Sequence, residues 1–321
     1  DTCFNVMIGC NAGTALNAGD NNILLGCQVG AALTNAYNNI MIGECTGYDT
    51  TIGHHNVFLG CAVGRNHVSG DNNFAAGPGA FFNAGAIQKN ASNNIAIGKH
   101  ASSRADEGTR NITLGLCAGY WNSAGDDIIA LGYGALCCNI SGDDNIGLGC
   151  GAGYKNETGS SNIFMGRDAG KCFSNGNYHV AIGYQAARNC AHSTTDAGVY
   201  IGRSAGAGAD GNWNVLIGCA AGECATGGGA KVGLGACALR NDRGNYNIGL
   251  GFAAGSNLTG LLANRNIAIG CNVSLPSAEG ENQLAIGQGT NYWIVGNGDF
   301  NVGIGTTNPN AAVGVGNTAK L

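Results

Sequence analysis

A five-residue string, Asn-Ile-x-Ile-Gly, recurs along the whole chain, and its closing glycine falls at Gly9, Gly26, Gly43, Gly60, Gly77, Gly98, Gly115, Gly132, Gly149, Gly166 and Gly183. Nine of the ten steps between these glycines are 17 residues. The series continues through Gly202, Gly218, Gly235, Gly251, Gly270, Gly287 and Gly305 at steps of 16 to 19. A chain of 321 residues would ordinarily suggest two domains, but a short fixed period overrides that, because a solenoid grows by adding coils. Helical solenoids need repeats of about 33 residues or more. A 17-residue unit with several glycines cannot hold two capped helices, so the expected fold is all-β: a β-solenoid or β-roll of about eighteen coils.

Counting from the closing glycine, position −3 is apolar and mostly β-branched, and position −1 is always apolar. Apolar sites separated by one residue mark a short strand with one buried face. The expected inward core is therefore Ile23, Leu25, Ile40, Ile42, Ile112, Leu114, Ile146, Leu148, Ile163 and Met165. Glycines recurring four residues after and seven before the anchor mark corners where the backbone turns sharply. Position −4 is Asn in thirteen of eighteen coils, and stacking would align Asn22, Asn39, Asn56, Asn73, Asn111, Asn145 and Asn162 into an amide ladder. A plain turn-forming role for these asparagines is the alternative.

Position −2 should face solvent by alternation, yet it carries no charge in any coil. Met7, Leu24, Met41, Phe58, Phe164, Tyr200 and Leu216 are accordingly expected at a subunit interface, most simply in a parallel homotrimer. Charged residues are only 11% of the chain, which fits a surface largely covered by partners. The repetitive shaft is placed at 1–287 and a capping or junction segment at 288–321. A net charge of −5 with no Lys/Arg cluster argues against nucleic acid as a partner. No apolar run approaches the ~18 residues of a membrane span, so no membrane insertion is expected.

The units at 21–37, 38–54 and 161–177 resemble the Gly/Asn repeats of phage tail fibres and related virion appendages, especially those of marine cyanophages. The segment 291–321, NYWIVGNGDFNVGIGTTNPNAAVGVGNTAKL, resembles the junction that in such fibres precedes a C-terminal intramolecular chaperone of the endosialidase type. That resemblance implies a trimer whose chaperone cuts itself off, and a chain ending at Leu321 fits the trimmed form. It implies a structural, non-enzymatic fibre protein of a virion appendage, assembled in the host cytoplasm and acting outside the cell. Its partners would be further copies of itself and a host cell-surface receptor or glycan. A weaker likeness is to the heads of trimeric autotransporter adhesins, whose coils are shorter; a surface adhesin or filament subunit is the alternative reading.

No catalytic, cofactor-binding or metal-binding residue is assigned. Asp20, Asp71, Asp126 and Asp143 share position −6, and stacked carboxylates ~5 Å apart would suit a glycan depolymerase or a hard-cation site. No His, Tyr or Arg recurs beside them, so acidic turn residues are the preferred reading. Fifteen cysteines include Cys10, Cys27, Cys61, Cys150, Cys219 and Cys271 directly after the anchor, and Cys45, Cys117 and Cys237 one later. They are expected as small buried fillers, with some disulfides or metal at a symmetry axis as alternatives. His54 and His55 are expected as solvated turn residues, and strings such as GLGCGAGY at 147–154 lack the helix and Lys of a phosphate loop. The N-x-S/T triplets at Asn90, Asn111, Asn139, Asn156, Asn257 and Asn272 are expected by chance in so Asn-rich a chain. The longer units at 77–98, with Phe81 and Phe82, at 183–202 and at 251–270 are the places where loops should emerge.

Overall fold

The computed structural model describes residues 4–82, 90–104, 106–189, 197–209 and 211–309. It is all-β, with no helix among the described residues, and winds into a β-solenoid of about 16 turns of roughly 17 residues. The chain forms two compact units that divide between Arg188 and Asn189. The first holds eleven three-residue strands, from β1 (Val6–Ile8) and β2 (Ile23–Leu25) to β10 (Ile163–Met165) and β11 (Val180–Ile182). These strands stack in parallel and in register, so that Val6 pairs with Ile23 and Ile163 with both Ile146 and Val180.

The second unit opens with β12 (Val199–Ile201) and continues the same parallel stacking to β16 (Ile267–Cys271) and β17 (Leu284–Gln288). There the direction reverses: β18 (Asn291–Gly296) runs antiparallel to β17, and β19 (Val302–Ile304) antiparallel to β18. The string ending at Gly305 thus forms a strand without forming a further coil, which is one reason for about 16 turns where the spacing predicts eighteen. The reversal is made at Gly289, which adopts φ +60° between β17 and β18.

Hydrogen bonds join each coil to its neighbours at the strand and at the turns alike. Ile23 N–H donates to Asn39 O at 2.8 Å, Gly26 N–H to Ile8 O at 2.8 Å, and Gly30 N–H to Thr46 O at 2.9 Å. The anchor glycine is required by this close stacking. Gly43 sits at φ +134°, and a Cβ there would lie 2.1 Å from the carbonyl oxygen of Gly60, the anchor of the next coil.

The inward side chains are those at −4, −2, +3 and +7. In the coil closing at Gly60 these are Asn56, Phe58, Val63 and His67, and in the coil closing at Gly166 they are Asn162, Phe164, Ala169 and Phe173, all buried. The strand faces are therefore the reverse of the sequence expectation. Leu24, Met41, Phe58, Phe164, Tyr200 and Leu216, expected between subunits, fill the interior of their own chain; Met7, in the first coil, stays 43% exposed. Ile23, Ile42, Ile112 and Met165 are exposed, and Leu25, Ile40, Leu114, Ile146, Leu148 and Ile163 are half-buried on the outside.

The physical reason is parity. Residues two apart on a strand share a face, so the buried asparagines at −4 carry −2 inward and turn −3 and −1 outward. In many coils interior volume is then divided between −2 and +4. A large −2 residue faces a glycine at +4, as with Phe58 and Gly64, where an added Cβ would meet the ring at 2.5 Å. In three coils where −2 is small, +4 is large and buried: Ala75 with Phe81, Ala130 with Leu136, Gly233 with Leu239. Where both are glycine, as at Gly147 and Gly153, the neighbouring coils fill the space with Leu136 and Phe164. Phe81 is thus a core residue, 6.3 Å from Phe58 and 5.1 Å from His67 between ring centroids.

Candidate functional site

The most extensive candidate surface is the outward face of the strands. Each parallel strand presents two apolar side chains outward, and no strand contains a charged residue. Ile23, Ile42, Ile95, Ile97, Ile112 and Met165 each leave 36 to 39% of their surface in solvent. Position +1 widens the band in some coils, with Leu116, Tyr133, Tyr184 and Phe252 exposed beside it, and carries an exposed charge in others, as at Lys99, Arg167 and Arg203. Charged side chains gather instead at the turns, as in the pairs of Arg110 with Asp127 at 2.7 Å and Arg240 with Glu223 at 2.9 Å. Monomeric proteins rarely leave a contiguous apolar patch beyond about 300–600 Å². Two aliphatic columns running the length of a unit exceed that.

Behind this face run three ladders of polar side chains. In the first, the Oδ1 of each −4 asparagine accepts the backbone N–H of the −4 residue in the next coil: Asn39 to Asn22 at 3.0 Å, Asn56 to Asn39 at 2.9 Å, Asn111 to Asn94 at 2.9 Å, Asn162 to Asn145 at 3.0 Å. In most coils the Nδ2 also donates to a carbonyl 14 residues ahead, such as Asn111 to Gly125 O at 2.9 Å; in the longer unit Asn73 reaches Ala91 O at 2.9 Å. Asn73 continues the series, its N–H reaching Asn56 at 2.9 Å. Ile128 interrupts the column: its N–H donates to Asn111 Oδ1 at 2.9 Å, but its side chain offers no acceptor to the next coil.

The second ladder, at +7, had no clear sequence signal. Asn139 donates to Asn122 Oδ1 at 2.8 Å, and Asn156 to Asn139 Oδ1 at 2.8 Å. His67 occupies the same column, its Nε2 3.1 Å from Gly70 O, the place taken by the carbonyls of Gly125 and Gly142 in the asparagine coils. Its Nδ1 has no partner, and burial pulls its pKa down to about 4, against the smaller opposing effects of the Gly70 carbonyl and the Asp71 charge.

The third ladder, at −6, accounts for the recurrent aspartates. Asp143 Oδ1 accepts Asp126 N–H at 2.8 Å, Asp126 Oδ1 accepts Thr109 N–H at 2.7 Å, and Asp71 Oδ1 accepts His54 N–H at 2.7 Å. Ser160, Asn177 and Asn245 do the same for their neighbours, so the position calls for a short acceptor rather than a carboxylate. His54 belongs to this column: it stacks on Tyr37 at 3.7 Å between centroids, and its Nδ1 accepts Tyr37 N–H at 3.2 Å. His55 meets Tyr37 edge-on at 5.4 Å.

One coil replaces amides by charges. Lys231 sits fully buried at −4 and donates its Nζ to Gly227 O at 2.7 Å and Asp242 O at 2.8 Å. Asp242, at +7 of that coil, has its carboxyl pushed up by burial, partly offset by the Lys231 charge and by hydrogen bonds from Asn247 and Gly244.

The cysteines correct a further expectation. Cys10, Cys27, Cys61, Cys150, Cys219 and Cys271 are exposed, because the residue after the anchor points outward, and the cysteines among the described residues are free thiols. Cys45, Cys117 and Cys237 are half-buried; Cys137 is buried, and that burial pushes its thiol up to about 12. No group of three His, Cys, Asp or Glu is placed to hold a metal ion among the described residues. Of the N-x-S/T asparagines, Asn111, Asn139 and Asn156 are buried in ladders, while Asn90 and Asn272 are exposed and Asn257 half-buried. Much of the longer units at 77–98 and 183–202 lies outside the described residues, whereas that at 251–270 exposes Leu261 and Leu262. Among the described residues no helix is long and apolar enough to cross a membrane.

These features define a β-solenoid repeat protein with an amide-laddered interior and an aliphatic exterior face. Comparisons with protein-family models, with curated proteins and with solved structures returned no match to the chain.

Proposed function

We propose that this chain is a non-enzymatic structural protein: a shaft segment of an extracellular appendage of the tail-fibre kind, assembled by packing the outward strand faces of parallel copies against one another. The observation that carries this reading is the pair of outward aliphatic side chains repeated on coil after coil. Across the first unit these columns expose on the order of 1,000 Å² of apolar surface, against the roughly 800 Å² each partner buries in a standard interface. A parallel homotrimer is the order we favour. Identical coils then meet at equal heights, and the uniform aliphatic pairs make a self-complementary seam. Host-cell attachment is the role proposed for such an appendage.

Native mass and sedimentation of the purified chain test this reading. Assembly is expected for the wild type, and dissociation to folded monomers for the combined variant Ile112→Glu, Ile129→Glu and Ile146→Glu, whose side chains point outward. A wild-type chain that is a monodisperse monomer at micromolar concentration overturns it.

A further inference from the structure

The turn at position −5 bends through positive φ in every described coil and throws its side chain outward, so residues of any size stand there: Asn38, Arg110, Tyr178, Trp213, Ala230, Tyr246. In the second unit this column places Trp213, Ala230 and Tyr246 in three successive coils. The two rings are 64% and 58% exposed, with only a methyl group between them. An open cleft of about 320 Å³ lies here, lined by Trp213 and Tyr246 together with Gly228, Gly229, Ala230, Asn212 and Asn245.

The dimensions select the guest. Two coil steps separate the aromatic residues, about 9–10 Å at ~4.8 Å per step. Two rings held parallel at that spacing, with carbon contact at about 3.5–4.0 Å on each side, leave more room than a flat ring fills and suit a puckered ring with axial hydrogens. The volume falls at the lower end of ligand cavities, about 300–1,000 Å³, as a single ring requires. Among the described residues no Asp, Glu, Lys, Arg or His lines the cleft, which favours a neutral ligand.

The polar edge is held rigid. Asn245 Oδ1 accepts Gly229 N–H at 2.9 Å, and its Nδ2 donates to Asn264 Oδ1 at 3.2 Å. A carboxamide offers two donors and two acceptor sites, so the fixed Asn245 amide keeps one of each for a ligand hydroxyl. We propose that the gap between Trp213 and Tyr246 is a binding site for a neutral pyranose ring of a glycan, stacked by its C–H faces on the two rings and hydrogen-bonded through its hydroxyls at the Asn245 edge. The site lies on one chain and goes beyond the assembly role; a monomer would carry it equally.

The test is saturation-transfer NMR and calorimetry on the full chain with cellotetraose, xylotetraose, mannotetraose and chitotetraose, and with N-acetyltyrosinamide as a flat aromatic probe. At least one tetrasaccharide is expected to bind with Kd of about 0.1–1 mM. Trp213→Ala and Tyr246→Ala should each weaken it tenfold or more. Ala230→Tyr should abolish it by filling the gap, with the unfolding midpoint unchanged, because Tyr178 and Tyr246 already occupy the same turn position. The proposal is overturned if none of the four sugars binds at 10 mM, if Ala230→Tyr binds as the wild type does, or if the aromatic probe alone binds.

Discussion

Phe164 and Gly170, six residues apart in one coil, share a single interior volume: a Cβ on Gly170 would fall 2.0 Å from the Cδ1 of the Phe164 ring. The coil closing at Gly132 makes the opposite division, with Ala130 at the strand and Leu136 at the turn.

Exchange of size between the two positions is therefore expected to be tolerated where single changes are not. Phe164→Ala should cost about 3–5 kcal/mol, and Gly170→Leu alone should also be strongly destabilising. The double variant should recover at least about 1 kcal/mol relative to the sum. Denaturant unfolding of the four proteins measures the coupling, and strict additivity would contradict a shared volume.

His67 gives the first unit an acid sensitivity of defined sign. Its imidazole stays neutral in the fold down to about pH 4 but takes up a proton near 6.5 when unfolded. Between those values the unfolded chain binds more protons, so stability is complete above about pH 6.5 and falls by roughly 1.4 kcal/mol per unit on acidification. The full loss, about 3 kcal/mol, is reached below pH 4. His67→Asn, which installs the residue found at this position in three other coils, should flatten that part of the curve in a series of urea midpoints against pH.

The charged coil provides a third case. Lys231→Asn or Asp242→Asn alone strands a buried charge and is expected to cost about 3–5 kcal/mol. The pair together recreates the arrangement of Asn145 and Asn156, which occupy the equivalent positions. It should lie within about 1 kcal/mol of the wild type, and unfolding of all three variants at neutral pH decides the point.

Thiol chemistry should separate the cysteines by column. Cys150 is exposed, whereas Cys137 is buried with its thiol pushed up to about 12. Thiolate is the reactive form, so alkylation of native Cys137 at pH 8 is expected to be slower by about two orders of magnitude or more. Peptide mass mapping after timed iodoacetamide labelling reads the ratio, and equal rates would contradict the burial.

The repeat, its period and its β character were legible because the anchor glycine and the flanking aliphatics recur at fixed spacing. The direction of each face was not, because a uniformly aliphatic column reads as a core whether it points in or out. Two signals could have settled it. The asparagines at −4 share strand parity with −2, and no coil carries a large residue at both −2 and +4, as in Phe58 with Gly64 and Ala75 with Phe81. The second ladder was hidden because Asn122, Asn139 and Asn156 share their column with Leu33, Thr50, His67 and Phe173. The −6 ladder was hidden because any short acceptor serves. The cleft between Trp213 and Tyr246 was out of reach, since its gap is made by an unremarkable Ala230 in the coil between.

Within each unit the strand hydrogen bonds of a coil reach only the coil before and the coil after, in identical register. Excising or duplicating one whole repeat joins surfaces that already match, so length can change without inventing a new contact. For the gene, this turns recombination between its own repeats into a ruler: lineages can reset how far the protein reaches while every remaining coil keeps its neighbours.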